Sequence, residues 1–330
     1  MKKLLTALIV GASILLSTQP ARAMDEITVA YFLEWPMPFL ASKADGSYDK
    51  ALGAKINWRS FETGTAMSAA MASGDVHISV SQGVPPFVVA ASAGQPIQVV
   101  DVAVSYSDND NCVIGTNLEI DKDNVMELKG KKVAVPLGTA AHYGFLRQMD
   151  HFGIPLSSLT VVNMPPPEGA AALAQGAVDF ACGYGGGLTR MKEHGNTLLT
   201  GAEKEALGIL VFDVTSAPAT FISENEELLA KFLAVTAAAN DKWNATKSDA
   251  MLKVIAKESG MDYAGAKSAI STMKFPSAKD QLSKTWLGGN AQMFMKGVAD
   301  VFVEAGSIDS ALPSYEDSVN TAPLAAATNM

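Results

Sequence analysis

The sequence predicts an α/β protein of two lobes, each an open sheet with helices, joined by two strands that cross between them. Three observations predict it. Strand-type runs alternate with helical stretches along most of the chain, the pattern of parallel β–α–β units rather than of a sandwich or a bundle. The alternation completes one cycle before residue 107 and begins again near residue 130. The chain has 330 residues, more than one domain's worth at roughly 100 to 200 residues per domain.

Residues 27–31 (ITVAY), 56–59 (INWR) and 76–80 (VHISV) read as strands from their β-branched and aromatic content. A loop follows the first over 32–39. A small-residue helix over 65–73 follows the second and ends at Gly74. The run QGVPP at 82–86 leads from the third into a helix over 87–92, and 99–107 crosses into the second lobe. There, 130–136 (GKKVAVP), 159–163 and 178–183 are strands, separated by helices from Gly138 to 152 and over 168–175. The run 209–215 leads back. Amphipathic helices are expected at 228–240, 250–258, 264–272 and 292–305, packed on the first lobe, with a loosely held tail after about Tyr315. The lobes are therefore 24–106 with 215–330, and 107–214. Open parallel sheets gather loops and helix N-termini outside the carboxyl ends of their strands. Two such sheets on a hinge turn both loop sets onto one cleft that closes around a ligand.

The N-terminus carries a secretory pattern. Met1-Lys2-Lys3 is a short positive region, Leu4 to Leu16 an apolar stretch, and Ala21-Arg22-Ala23 the small-x-small pattern of a cleavage site. Cleavage is placed after Ala23. The apolar stretch is shorter than the about 20 residues a membrane span needs, so the mature chain is read as periplasmic, without stable membrane insertion, and monomeric. No cysteine stands at the cleavage point; Cys112 and Cys182 lie far downstream. In an oxidising compartment they form a disulfide or lie as two buried thiols, and both alternatives stay open here. The net charge of −9 becomes more negative once Lys2, Lys3 and Arg22 are lost. An acidic chain with no basic cluster argues against nucleic acid and anionic membrane surfaces as partners.

Several runs carry a family resemblance. GKKVAVP at 130–136, the hydroxyl-containing turn that ends in His142-Tyr143, Asn163 before Pro165-Pro166-Pro167, and the run from Ala172 through Gly176 to Asp179 are similar to the solute receptors of taurine and aliphatic-sulfonate ABC transporters. GAKINWR at 53–59 and ASGDVHI at 72–78 agree, so the resemblance covers nearly all of the mature chain. It implies a type II periplasmic binding protein fold. It also implies a receptor that delivers a small zwitterion, taurine or a related sulfonate, to an inner-membrane ABC permease with its ATPase. Two departures stand out. The family's Trp-Asp-Pro after the third strand of the second lobe, whose Asp is placed for the ligand's ammonium, is here Tyr184-Gly185-Gly186. The family's hydroxyl-bearing turn after the third strand of the first lobe is here Gln82-Gly83-Val84-Pro85. Another amine or a quaternary ammonium solute is therefore the alternative ligand, and an enzyme on the same scaffold is the alternative of a different class.

The candidate ligand residues follow from this plan. Glu34 lies in the run FLEWP, where a carboxylate beside Phe32 and Trp35 suits an ammonium ion by charge pairing and by cation–π attraction of about 0.5 to 2 kcal/mol per ring. In this reading it replaces the missing Asp; the competing reading is a solvated loop glutamate. Thr139, Ala140 and Ala141 open a helix after Gly138, where free N–H groups and the dipole favour a sulfonate or carboxylate; the competing reading is N-capping by Thr139. His142 and Tyr143 follow on the first turn, either facing the cleft or packing. Tyr184 is the only bulky group of its glycine-rich turn and a candidate to stack on the ligand. Gln82, Gly83 and Asn111 stand near strand ends and orient the ligand in this reading, while Asp108 and Asp110 are expected on a solvated turn. His77, His142, His151 and His194 show no paired zinc spacing, and neither a Gly-x-Ser-x-Gly elbow nor a phosphate-binding loop is present. The expectation is a binder with no catalytic residues, no metal and no cofactor.

Overall fold

The computed structural model of the protein describes residues 26–330 apart from Ser107; the leader read at residues 1–23 lies outside them. The strands among the described residues are β1 Glu26–Phe32, β2 Lys55–Phe61, β3 Ile78–Gly83, β4 Ile97–Tyr106, β5 Asp110–Gly115, β6 Lys132–Val135, β7 Thr160–Asn163, β8 Phe180–Tyr184, β9 Gly195–Asn196, β10 Val211–Pro218 and β11 Met273–Lys274. They form two sheets, a six-stranded one in the order β11-β4-β10-β3-β1-β2 and a five-stranded one in the order β7-β6-β8-β5-β9.

In the first sheet β1 runs parallel to β2 and β3, with Ile27 beside Ile56 and Val29 beside Ile78. β10 lies antiparallel between β3 and β4. β4 and β10 are neighbours in the first sheet, β4 leading into the second lobe and β10 following it, and they read as nearly continuous apolar runs because helices cover both of their faces; Val99, Val100, Val102, Val104 and Val214 are fully buried. The lobe limit expected between residues 214 and 215 falls inside β10, all of which belongs to the first sheet.

β3 starts two residues later than the sequence suggests and runs through Gln82 and Gly83, which were expected in a turn. Their backbones pair with Val214 and Asp213 of β10. The following helix, Val84–Ser92, takes Pro85 and Pro86 into its first turn, where a missing N–H leaves no bond unmade. The helix Pro166–Ala174 begins the same way.

In the second sheet β5 and β8 are antiparallel with Cys112 opposite Cys182, and the two cysteines form a disulfide that closes a sequence separation of 70 residues. This decides the alternative left open by the sequence. Removing such a staple typically costs about 2 to 5 kcal/mol.

The C-terminal end differs from the expected loose tail. Tyr315 is buried and its hydroxyl lies 2.6 Å from Ser92 Oγ. Asn320 N donates to Val99 O, and the short helix Ala322–Ala327 packs Leu324, fully buried, against the long helix Glu226–Thr246. Apolar burial of this kind is worth about 25 cal/mol per Å², enough to fix a segment with little helical length of its own.

Candidate functional site

The carboxyl ends of β1, β3 and β8 and the loop after β6 meet in a cleft between the two sheets. An outer chamber of about 470 Å³ is lined by residues of both lobes, among them Phe32, Glu34, Trp35, Glu62, Pro166, Tyr184 and Gly185 to Gly187. Behind it lies an inner pocket with about 20 Å³ of free space, lined by Phe32, Trp35, Gly64, Gly83, Pro86, Tyr106, Thr139, Ala140, Tyr184 and Asp213. Phe32, Trp35 and Tyr184 line both and divide them.

Asp213, on β10, is the acidic group of the inner pocket, and it is 3% exposed. Its Oδ2 accepts from Ser81 Oγ at 2.6 Å and its Oδ1 from the Tyr106 hydroxyl at 3.0 Å. Burial pushes its pKa up to about 7; the two donors oppose that shift and the nearby Asp110 adds to it. Ser81 also accepts from Trp35 Nε1 at 2.9 Å, so one hydroxyl ties the indole to the carboxylate. Ser81 holds φ at +62°, a left-handed conformation uncommon for a side chain other than glycine, and at this site the neighbouring hydrogen bonds hold it there.

Opposite Asp213, the helix Ala140–His151 begins at the pocket. The Thr139 hydroxyl donates back to Pro136 O at 2.6 Å, so no side chain caps the helix and its first amides are left for an anion. The helices that start at Gly64 and Val84 also direct their N-termini here, since Gly64, Gly83 and Pro86 line the same pocket. A Cβ built on Gly83 comes within 3.5 Å of Asp213 Oδ1 and 3.6 Å of Ala140 Cβ, so the glycine borders both the acid and the helix start. The inner pocket thus pairs a carboxylate, suited to a cation, with helix N-termini, suited to an anion.

Glu34 has a partner already. Arg190 forks onto it, Nη1 to Oε1 at 2.6 Å and Nη2 to Oε2 at 3.0 Å, so the carboxylate expected to receive a ligand's ammonium is neutralised from the opposite lobe. The three glycines before Arg190 make room for this. A Cβ on Gly186 comes within 2.4 Å of the Glu34 carboxyl, and one on Gly187 within 2.6 Å of Pro166. Gly185 has φ +56° and approaches the Glu34 carbonyl. Tyr184 sets its ring 6.0 Å from that of Phe32 and donates its hydroxyl to Glu62 O at 2.9 Å across the cleft.

The remaining sequence candidates lie outside the pocket walls. The Gln82 amide is used internally, Nε2 to Gly64 O at 2.8 Å and to Ser68 Oγ, with Oε1 accepting from Ser216 Oγ at 3.0 Å. Asn111 donates to Leu199 O at 2.7 Å. His142 Nδ1 accepts from Gly138 N at 3.1 Å, and its ring stacks on Phe302 at 5.3 Å; burial pushes its pKa down to about 4. Tyr143 packs edge-on against Phe294 and Phe302. Both rings are therefore packing groups between the helix Ala140–His151 and the helix Asn290–Glu304. Asp108 is exposed and pairs with Lys192, in keeping with a solvated turn, but Asp110 is not: it is 3% exposed on β5 and held by Lys204, itself 1% exposed, at 3.1 Å. Asp213, Tyr106, Ser81 and Arg190 are not among the sequence candidates. The signal for Asp213 was its isolation, a single acid in the apolar run ILVFDVTSAP.

The two open sheets, the cleft and the pair of crossing strands define the class: a two-lobed periplasmic binding protein fold. Residues 37–246 match the family described as NMT1/THI5 like, and the chain belongs to that family. It is 30% identical over 206 residues to the taurine-binding periplasmic protein of Escherichia coli K12, and the aligned part is 62% of each chain. Among solved structures it resembles the alkanesulfonate-binding protein SsuA of Xanthomonas axonopodis pv. citri bound to MOPS, with TM-score 0.74 and 17% identity over 92% of this chain and 100% of that one. The aliphatic sulphonate binding protein SsuA of Escherichia coli is similar at TM-score 0.67 and 19% identity over 87% and 95%. At these identities the structural likeness speaks to the fold.

Proposed function

We propose that this chain is an exported periplasmic receptor that binds a small zwitterion, taurine or a related amino-sulfonate, between its lobes and delivers it unchanged to an ABC permease with its ATPase. The observation that carries this reading is the charge pattern at the inner end of the cleft, where buried Asp213 and the uncapped helix start at Thr139–Ala140 line one pocket. Its about 20 Å³ holds no more than a water or two, so in this reading the wall of Phe32, Trp35 and Tyr184 moves outward to admit the ligand. An ammonium at the acid and a sulfonate at the helix start satisfy both, each charge meeting its complement out of water. The similarity to the taurine-binding periplasmic protein of Escherichia coli supports the same ligand class. Thr139, Ala140, Phe32, Trp35, Gly83 and Tyr184 belong to this reading of the site, joined by Asp213 and Tyr106. Glu34, Gln82, Asn111, His142 and Tyr143 act behind or beside it.

A second reading keeps the receptor and changes the cation. Phe32, Trp35, Tyr106 and Tyr184 all line the pocket of Asp213, and aromatic faces around a carboxylate also suit a methylated ammonium. Thermal-shift measurements with taurine, ethanesulfonate and glycine betaine separate the readings, since a ligand at 100 times its Kd adds about 2.7 kcal/mol of stability. The first reading expects taurine to give the largest shift. A larger shift from betaine favours the second, and no shift from any of the three counts against both. Conversion of a bound solute, followed by mass spectrometry, would reinstate an enzyme.

A further inference from the structure

Among the described residues the Glu34–Arg190 pair is the one ion pair that joins the two sheets' lobes; the others, such as Lys43–Glu258, Lys122–Glu203 and Lys204–Asp110, each stay within one lobe. Three features distinguish it from a casual surface contact. Each terminal guanidinium nitrogen donates to one carboxylate oxygen, Nη1 to Oε1 and Nη2 to Oε2, the fork geometry that adds orientation to charge attraction. The Glu34 backbone is fixed in a left-handed turn, φ +54°, with its N–H donating to Ser259 O at 2.7 Å. The facing glycines leave a slot that a methyl group at Gly186 would fill. The pair lines or borders the outer chamber, and neither residue lines the inner pocket.

We propose that Glu34 and Arg190 are positioning residues that latch the lobes shut over the cleft and so set the affinity and residence time of the ligand without touching it. The latch holds Tyr184 and the Gly185–Lys192 helix of the second lobe against the Phe32–Trp35 loop of the first, completing the wall between the two cavities. Its side chains are 36% and 43% exposed, so salt reaches the pair and screens it over about 10 Å at 0.1 M. Closure is therefore sensitive to ionic strength, while the fold of each lobe is not. The latch rests on the reading of the cleft as a ligand site.

The test measures closure directly. Spin labels at Lys50→Cys and Asp150→Cys, one exposed position on each lobe, report the interlobe distance of the ligand-free protein by pulsed electron resonance in 20 and 500 mM salt. Glu34→Gln, Arg190→Met and the double variant are compared with the parent. Each single variant is expected to lower the closed-to-open ratio about two- to fivefold at low salt, the range for an ion pair of this exposure. The double variant should lose no more than either single, and added salt should move only the parent. Unchanged distances in Arg190→Met, or losses that add in the double variant, overturn the latch. Unfolding midpoints within a degree or two of the parent exclude loss of fold as the cause. A parallel stopped-flow measurement of taurine release expects faster release from Arg190→Met. If taurine fails to bind even the parent, the ligand reading falls and the distance measurement still decides the latch.

Discussion

The Tyr106 hydroxyl donates to Asp213 Oδ1 at 3.0 Å, so the strands that lead into and out of the second lobe, already paired in the first sheet, are also joined by their side chains beside the inner pocket. Tyr106 closes β4 and Asp213 lies near the start of β10. The acid is thus anchored to two paired strands rather than to a loop. A second buried acid, Asp101 on β4, accepts from Thr215 Oγ1 on β10 at 2.8 Å and stitches the same strands further along.

Replacing Asp213 with Asn keeps the shape and removes the charge. Affinity for taurine is expected to fall about 100-fold, near 2.7 kcal/mol, as when a charge-assisted bond is lost. Affinity for ethanesulfonate, which has no ammonium, should change less than threefold. Calorimetry on both ligands checks this, and an equal loss for the two would remove Asp213 from the cation site.

The raised pKa of Asp213, about 7, gives binding a pH dependence of known sign. Below pH 7 the acid is protonated in the free protein, and an ammonium ligand must displace that proton. Taurine affinity should therefore rise up to tenfold per unit as pH climbs toward 7, then level off. In the ligand-free protein the sign reverses: an acid with a raised folded pKa contributes stability at low pH that is lost as pH rises from about 4 to about 7. Calorimetry in buffers of different ionisation enthalpy should detect proton release below pH 7, and release unchanged from pH 5.5 to 8 would contradict this.

Gly83→Ala tests the width of the inner pocket. Gly83 has an ordinary φ of −58° and a Cβ there makes only ordinary contacts, so the variant should fold with an unfolding midpoint near the parent's. The methyl group adds bulk at the pocket wall beside Asp213 and Ala140, and taurine affinity should drop at least tenfold. Retained affinity would place the ligand elsewhere in the cleft.

His142 should matter for acid stability and little for binding. A histidine whose folded pKa is held near 4 contributes stability that is complete above its unfolded value of about 6.5 and is lost as pH falls toward 4, on the order of 3 kcal/mol in all. His142→Phe keeps the ring against Phe302 and removes the titrating group. Urea unfolding at pH 7 and pH 4.5 should show a smaller acid loss in the variant, with taurine affinity at pH 7 within twofold of the parent.

Most of the architecture was legible because it is local. Alternating strand and helix patterns located β1, β2, β6 and β7 within a few residues, and the turn at Gly138-Thr139 announced a helix start that does face the cleft. Shifts arose where pairing partners decide the ends. β3 extends through Gly83 because β10 lies beside it, and the segment after Tyr315 is fixed by Ser92, Val99 and the long helix Glu226–Thr246. None of those contacts leaves a mark in the local sequence.

By itself the sequence determined two lobes, a cleft at strand ends, and an anion-favouring helix start, since each follows from residue period and chain direction. Only the tertiary structure decided which acid is paired with an arginine and which lines the inner pocket. Glu34 looked available in its aromatic loop, yet Arg190, 156 positions away, claims it. Asp213 looked like one more strand residue until Ser81, Tyr106 and Trp35 converged on it. A carboxylate's role depends on the charges and donors brought within a few ångströms of it, and those neighbours are chosen by how distant segments pack.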